Sequence, residues 1–253
     1  MEQLEFSKKY RIPVYEMGFN GKLSPHSLFN YLQDIASEHA ELLRFGKDDL
    51  LKENRFWVLS RIAVKVIYWP SWGESIDVKT WPRGTDKLFA LRDFEVTDSH
   101  GESVALGSSS WLVVDRTSRR VQRPDSVLSH FNEGFPVKSA ISGNASKVGP
   151  VAGDAVHSQA YRVAISDLDI NLHVNNVKYL EWITDSYDLE FRQKHNPSFI
   201  EINYLAESRI GEEIIIATSA GKNNEALCNH SVIRTVDNTE LCRAQIHWEI
   251  CPQ

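Results

Sequence analysis

The richest chemistry in this chain lies in one run, D-L-D-I-N-L-H-V-N-N-V-K-Y, residues Asp167 to Tyr179. Polar and apolar residues alternate along it, so Asp169, Asn171 and His173 fall on one side if the loop is extended. Val177, Leu180, Ile183 and Tyr187 then recur at helical spacing, which places the run at the start of a helix. A helix start presents backbone N–H groups and a positive dipole end. A carbonyl oxygen held there would be stabilised as it gained negative charge. Carboxylate, amide and imidazole beside such a point are the parts of an acyl-transfer or hydrolytic centre.

Other readings of the same residues fail on chemistry. The order Asp167, Asp169, Asn171 would open a calcium loop, but Leu172 stands where that loop needs Gly and Lys178 where it needs a bidentate Glu. Asn175 is a good helix N-cap, yet capping alone does not account for His173. A serine elbow, G-x-S-x-G, does not occur; Gly107 to Trp111 reads G-S-S-S-W and does not fit. Cys228 and Cys242 sit in alternating strands and read as buried hydrophobes. With Cys251 they make an odd count without C-x-x-C, which argues against disulfides or structural zinc and fits a reducing cytoplasm. The other histidines, His130 among them, show no i, i+4 pairing with an acid that would suggest a metal.

Such a centre needs elements to hold it. Phe6 to Val14 alternates as a strand. Ser24-Pro25 reads as an N-cap with Pro at the first helical position. Leu28, Leu32, Ile35, Ala36, Leu42 and Leu43 then form an apolar stripe that Gly46 is expected to stop. Strands are predicted at Arg61 to Tyr68, Ile76 to Trp81, Phe89 to Val96 and Val104 to Val114. The second half repeats this order: a strand at Tyr161 to Ile165, the polar loop, a helix through Tyr187, then strands at Phe199 to Tyr204, Glu213 to Thr218, Leu227 to Thr235 and Leu241 to Ile250. Asn30-Tyr31-Leu32 resembles Lys178-Tyr179-Leu180, and Gly73-Glu74-Ser75-Ile76 resembles Gly211-Glu212-Glu213-Ile214, which supports a duplication. The halves are expected at 1–123 and 157–253, joined by a glycine- and proline-bearing linker, 124–156. One long helix on an antiparallel sheet, twice over, is an α+β arrangement. Two such sheets edge to edge would give a tandem hot-dog fold, with two long helices packed on a continuous antiparallel sheet.

Composition narrows the function classes. The chain has 253 residues, 42% apolar and 25% charged, with seven Trp, eleven Phe and eight Tyr to fill a core. Its net charge of −6, from 28 basic and 34 acidic residues, argues against a general nucleic-acid binder. No apolar run is long enough to span a membrane. The N-terminus, M-E-Q-L-E-F-S-K-K-Y, has neither an apolar signal core nor a transit-peptide pattern, so a cytoplasmic protein is expected. Arg116, Arg119, Arg120 and Arg123 form the densest basic cluster, expected as a solvated loop or hairpin and a candidate contact for an acidic partner.

The run from Asp167 resembles the signature of acyl–acyl carrier protein (acyl-ACP) thioesterases, close to D-L-D-x-N-x-H-V-N-N-x-x-Y, and matches every fixed position. A second landmark of that family is similar to E-Y-R-R-E-C. Here it reads I-N-Y-L-A-E-S, Ile202 to Ser208: Tyr204 and Glu207 match, while Asn203 and Ser208 depart. Asn20 to Ala40 also resembles the family's first-half helix, so the likeness spans nearly the whole chain. It implies a tandem hot-dog fold and hydrolysis of fatty acyl-ACP to free fatty acid and carrier protein, without metal or organic cofactor. It implies Asp169, Asn171, His173 and Glu207 as the catalytic set, and the absent transit pattern a bacterial-type member. Glu207 or Asp169 would activate water, Asn171 would orient a carboxylate or bind substrate, and His173 would assist proton transfer or stabilise charge. Ser208, in place of the family's Cys, weakens any cysteine-nucleophile route. Acyl-CoA hydrolysis, or acyl or carrier binding without catalysis, are the alternatives, and a homodimer is left open.

Aligning the halves through Tyr31 and Tyr179 sets Gly21, Leu23 and Pro25 opposite Asp169, Asn171 and His173. Aligning through Gly73 and Gly211 sets Trp69 opposite Glu207. All four polar positions would then be apolar or Gly in the first half. That half is therefore expected to be a non-catalytic copy that houses the acyl tail, with Leu32, Ile35, Ala36, Val64 and Val66 as substrate-binding lining.

Overall fold

Ser24 and Pro25 do start the first long helix. In the computed structural model, which describes residues 4–128, 134–136, 138–151, 153–221 and 224–251, α1 runs Pro25–Leu42. Ser24 caps it, accepting a hydrogen bond from the Ser27 N–H at 3.4 Å. Gly46 does not stop it. The helix ends at Leu42, Arg44 takes the left-handed turn (φ 58°), and the Phe45 N–H bonds back to the Ala40 carbonyl at 3.1 Å. Gly46 instead precedes a short helix, α2 (Lys47–Lys52).

The chain forms two compact units, 1–145 and 146–253. In the first, β1 (Phe6–Arg11), β2 (Arg55–Val66), β3 (Ser75–Asp86), β4 (Phe89–Asp98) and β5 (Ser103–Asp115) make an antiparallel sheet in the order β1-β3-β4-β5-β2. A short strand β6 (Val121–Gln122) folds back on β5. The basic cluster lies on that exposed hairpin, where the Arg119 guanidinium stands 5.4 Å over the Phe56 ring. Cross-strand pairing makes two rows on one sheet face: Val78, Val96, Ala105 and Val66, then Thr80, Phe94, Gly107 and Val64. Arg92, two residues before Phe94, meets His39 of α1 at 3.0 Å, so this is the face the helix covers.

The stretch expected as a linker is packed at its described residues. It carries helix α3 (Asp125–Leu128). Lys138 accepts a bond from the Trp81 indole at 2.9 Å, and the Ala140 N–H donates to Asp93 at 2.9 Å, both in the first unit. Ser146 and Val148 bond Glu201 and Asn203 in the second. His130 lies outside the described residues.

In the second unit, β7 (Val156–His157) and β8 (Tyr161–Arg162) both pair with β10 (Glu213–Gly221). With β9 (His195–Tyr204), β11 (Asn224–Arg234) and β12 (Thr239–Ile250) the order is β9-β12-β11-β10-β7. The strand expected through Ile165 is only two residues long. Asp167 accepts the Ala164 N–H at 2.8 Å and curls the chain into a 3-10 turn at Ile165–Asp167. The helix expected through Tyr187 splits into α4 (Asn176–Asp185) and α5 (Leu189–Lys194), because Asp188 caps a new start. The core rows here are Ile216, Val232, Cys242 and Tyr204, then Thr218, His230, Ala244 and Ile202. Cys228 and Cys242 are buried, as expected. Each unit is thus a helix laid on an antiparallel sheet, and the fold is an α+β double hot-dog. Among the described residues no helix is long and apolar enough to cross a membrane.

Candidate active site

Asp169, Asn171 and His173 share a tight turn. The bridge between Leu168 and Val174 closes it, and the Asp169 N–H donates to the His173 carbonyl at 2.8 Å. Leu172 takes φ 62° at its tip. The Asp169 carboxylate pins the turn from within: Oδ1 accepts the N–H groups of Asn171 at 2.8 Å and His173 at 3.2 Å, and Oδ2 lies 3.4 Å from the Asn171 amide nitrogen. The extended alternation expected for these three residues is corrected. Period two holds only along an extended strand, and five residues between bridge partners must reverse the chain.

Glu207 arrives from the segment after β9. The Val174 N–H donates to the Ser208 carbonyl at 3.4 Å and ties that segment to the turn. His173 Nδ1 then lies 3.5 Å from Glu207 Oε1, with side chains 32% and 43% exposed. The structure therefore brings all four predicted residues into two touching segments: the amide and one carboxylate within the turn, the second carboxylate against the imidazole.

The supports are built from both sides. Asp167 is buried. Its Oδ2 accepts the Tyr161 hydroxyl at 2.8 Å, and its carbonyl accepts the Asn175 N–H at 2.9 Å. Asn175 is the N-cap of α4, as expected, and its side chain accepts the Val177 N–H at 3.1 Å. The Lys178 N–H bonds the Asn175 carbonyl at 2.9 Å. Those two N–H groups are turned to the cap, and the helix start adds its dipole to the site. Tyr204, whose phenol burial pushes up, donates to the Asn176 carbonyl at 3.0 Å.

Sequence reasoning missed a second set behind Glu207. Ser208 is fully buried and donates to Glu212 Oε2 at 2.8 Å, and Glu212 also accepts the Arg209 N–H at 3.0 Å and Arg234 Nη1 at 3.2 Å. Glu212 appeared in the sequence only as part of the repeat Gly211-Glu212, and nothing local pointed to Arg234, 22 residues further on.

The first unit carries the same backbone turn. The Gly18 N–H bonds the Lys22 carbonyl at 2.8 Å, the Leu23 N–H the Pro70 carbonyl at 2.8 Å, and the Ser24 N–H the Glu16 carbonyl at 3.0 Å, while Gly21 has φ 70°. These match the bonds of Asp169, Val174 and Asn175 and the φ of Leu172. They set Gly18, Asn20 and Lys22 opposite Asp169, Asn171 and His173, with Trp69 opposite Glu207. The register expected through the tyrosines is corrected. Tyr31 stands seven residues past its cap and Tyr179 four past its own, and a slip of three is close to one helical turn and keeps the same face. The expectation that all four positions are apolar or Gly is corrected too, since Asn20 persists and Lys22 is charged. Both acids and the imidazole are still absent from the first copy. Leu32, Ile35, Ala36, Val64 and Val66 are all buried in this unit; Val64 and Val66 lie on the face that α1 covers.

The sequence matches the family profile described as acyl-ACP thioesterase N-terminal domain over residues 3–131, and that of the acyl-ACP thioesterase C-terminal domain over residues 152–250. The chloroplastic palmitoyl-acyl carrier protein thioesterase of Gossypium hirsutum is 30% identical over 265 residues, covering 97% of this chain. The chain spans 64% of that relative's length. Chloroplastic oleoyl-acyl carrier protein thioesterase 1 of Arabidopsis thaliana is 25% identical, over 98% of this chain and 77% of its own. Among solved structures, an acyl-ACP thioesterase from Bacteroides thetaiotaomicron superposes with a TM-score of 0.78 at 27% identity, covering 98% of this chain and 99% of that one. The 12:0-ACP thioesterase of Umbellularia californica shares the fold with a TM-score of 0.87 at 24% identity, over 99% of each chain.

Proposed function

The chain belongs to the acyl-ACP thioesterase family, and on that premise we propose that it hydrolyses fatty acyl-ACP to free fatty acid and carrier protein, with water activated at Asp169, Asn171, His173 and Glu207. The observation that carries this reading is the pairing of His173 with Glu207 at 3.5 Å beside a turn that Asp169 pins. Asp169 commits Oδ1 to two backbone N–H groups, which makes it the organiser of the turn. Glu207, partly exposed against the imidazole, takes the proton from water. The water oxygen attacks the thioester carbonyl carbon, and His173 and the Asn171 amide face the charge that develops on its oxygen. The carbon–sulfur bond then breaks, and the proton that Glu207 took from water passes to the departing sulfur, so the carrier leaves as its thiol. A thioester is electrophilic enough that this scheme needs no metal or organic cofactor. The first copy, lacking both acids and the imidazole, houses the acyl tail, lined by Leu32, Ile35, Ala36, Val64 and Val66.

Release of free fatty acid from acyl-ACP and acyl-CoA of matched chain length tests the reading. The expected result is turnover that favours acyl-ACP. Asp169→Ala, His173→Ala and Glu207→Ala each lower kcat by ~100–10,000-fold, the size of general acid–base help. Preference for acyl-CoA would make the protein an acyl-CoA hydrolase. Acyl binding without turnover would make it a binding protein, and wild-type rates in all three folded variants would overturn the site.

A further inference from the structure

We propose that Glu212 is a positioning residue, held by Arg234 and holding Ser208, so that the turn after β9 keeps Glu207 against His173; this rests on the thioesterase reading above. Glu207 lies between two anchors. On one side the N–H groups of Leu205 and Ala206 bond the Leu241 carbonyl at 2.9 and 3.2 Å. On the other, Ser208 Oγ and the Arg209 N–H both end on Glu212 Oε2, at 2.8 and 3.0 Å. Glu212 is fixed in turn by Arg234 Nη1, 3.2 Å from Oε1 and 3.3 Å from Oε2. Arg234 is itself aligned by a two-point contact with Asp237, at 3.0 and 2.9 Å. Burial works to raise the Glu212 pKa, but the bonds from Ser208, Arg209 and Arg234 outweigh it and hold the carboxyl below the ordinary range.

The first copy serves as an internal control. The bonds of Ile12 and Gly73 repeat those of Val163 and Gly211, so Glu74 stands at the place of Glu212. Pro70 occupies the place of Ser208 and has no hydroxyl to donate. Asp98, paired with Ile76 as Arg234 is with Ile214, occupies the place of Arg234 and bears the opposite charge. The turn forms in both copies, with glycine φ of 79° and 81°. Only the copy that carries Glu207 has the chain Arg234–Glu212–Ser208. The turn alone does not need the chain, which leaves the placement of Glu207 as what it serves.

The test is kinetics on acyl-ACP together with crystal structures. Glu212→Ala is expected to lower kcat about 10–100-fold with KM within about twofold, as misplacement of a reacting group does. Glu212→Gln, which keeps an acceptor for Ser208 but loses the charge pairing, gives a smaller loss and serves if the alanine variant does not fold. In a Glu207→Gln background either change has no further effect, because the group it positions is gone. Glu74→Ala leaves kcat unchanged. Wild-type kcat in folded Glu212 variants, or the same fold-loss in the Glu207→Gln background, overturns the proposal. If the parent protein does not hydrolyse acyl-ACP, the functional reading fails and the structures decide this proposal alone. A Glu207–His173 separation beyond about 5 Å in the variant, too long for a hydrogen bond, supports it; retention of the parent's 3.5 Å overturns it.

Discussion

At the scale of single residues, what surrounds a side chain sets groups of the same type apart. His173 stands part-exposed beside Glu207. His230 is buried under α4, with Nδ1 3.0 Å from the Thr218 hydroxyl and Nε2 3.3 Å from that of Tyr187. Burial pushes its pKa down from 6.5 to about 3. The folded protein therefore keeps it neutral where the unfolded chain takes up a proton. Its contribution to stability is complete above the unfolded value of 6.5 and is lost as pH falls from there toward about 3. Each pH unit across that window costs up to about 1.4 kcal/mol. Thermal melts between about pH 7 and about pH 4 should show a steep loss that His230→Gln flattens; an unchanged slope would assign the acid sensitivity elsewhere. The cysteines follow the same logic, since burial pushes the Cys228 and Cys242 thiols up and away from the reactive thiolate.

At the scale of elements, the two copies share a device and differ in its use. Ser24 and Asn175 both cap a helix that follows a left-handed turn. Removing either cap should destabilise the protein by about 0.5–2 kcal/mol. Only Asn175 lies two residues from the imidazole. Ser24→Ala should therefore lower the melting temperature and leave kcat unchanged, whereas Asn175→Ala should lower both, kcat by about tenfold or more as His173 loosens. Equal kinetic effects from the two caps would show that α4 does not steady the site. Helix starts were readable from sequence because a cap is a local hydrogen bond. The end of α1 was not: Gly46 is the obvious breaker, but Arg44 takes the left-handed position two residues earlier, and the left-handed conformation at a non-glycine residue leaves no residue-type signal.

At the scale of the whole molecule, two units share one build, and only the second carries the Asp169, His173 and Glu207 set at the shared turn. If the first copy houses the tail, filling its interior should shorten the preferred substrate. Ala36→Phe is expected to shift the profile toward shorter acyl chains while turnover on those chains persists, since each CH₂ that loses its place forfeits about 0.8 kcal/mol. A profile unmoved by first-unit substitutions in folded protein would place the tail elsewhere. The amino-acid sequence makes the α+β class, the repeat and the two segments that hold Asp169, Asn171, His173 and Glu207 legible, because periodicity, caps and a dense polar run are local in the chain. It could not determine the register between the copies, because a slip of three residues keeps the same helix face and the same apolar pattern. Backbone bonds from Leu23 to Pro70 and from Val174 to Ser208, each between separate segments, set that register. The fold likewise makes the loop from Asp169 to His173 a pinned turn and stands Arg234 and Glu212 behind Glu207. Those contacts join residues from separate elements, and no local spacing encodes them.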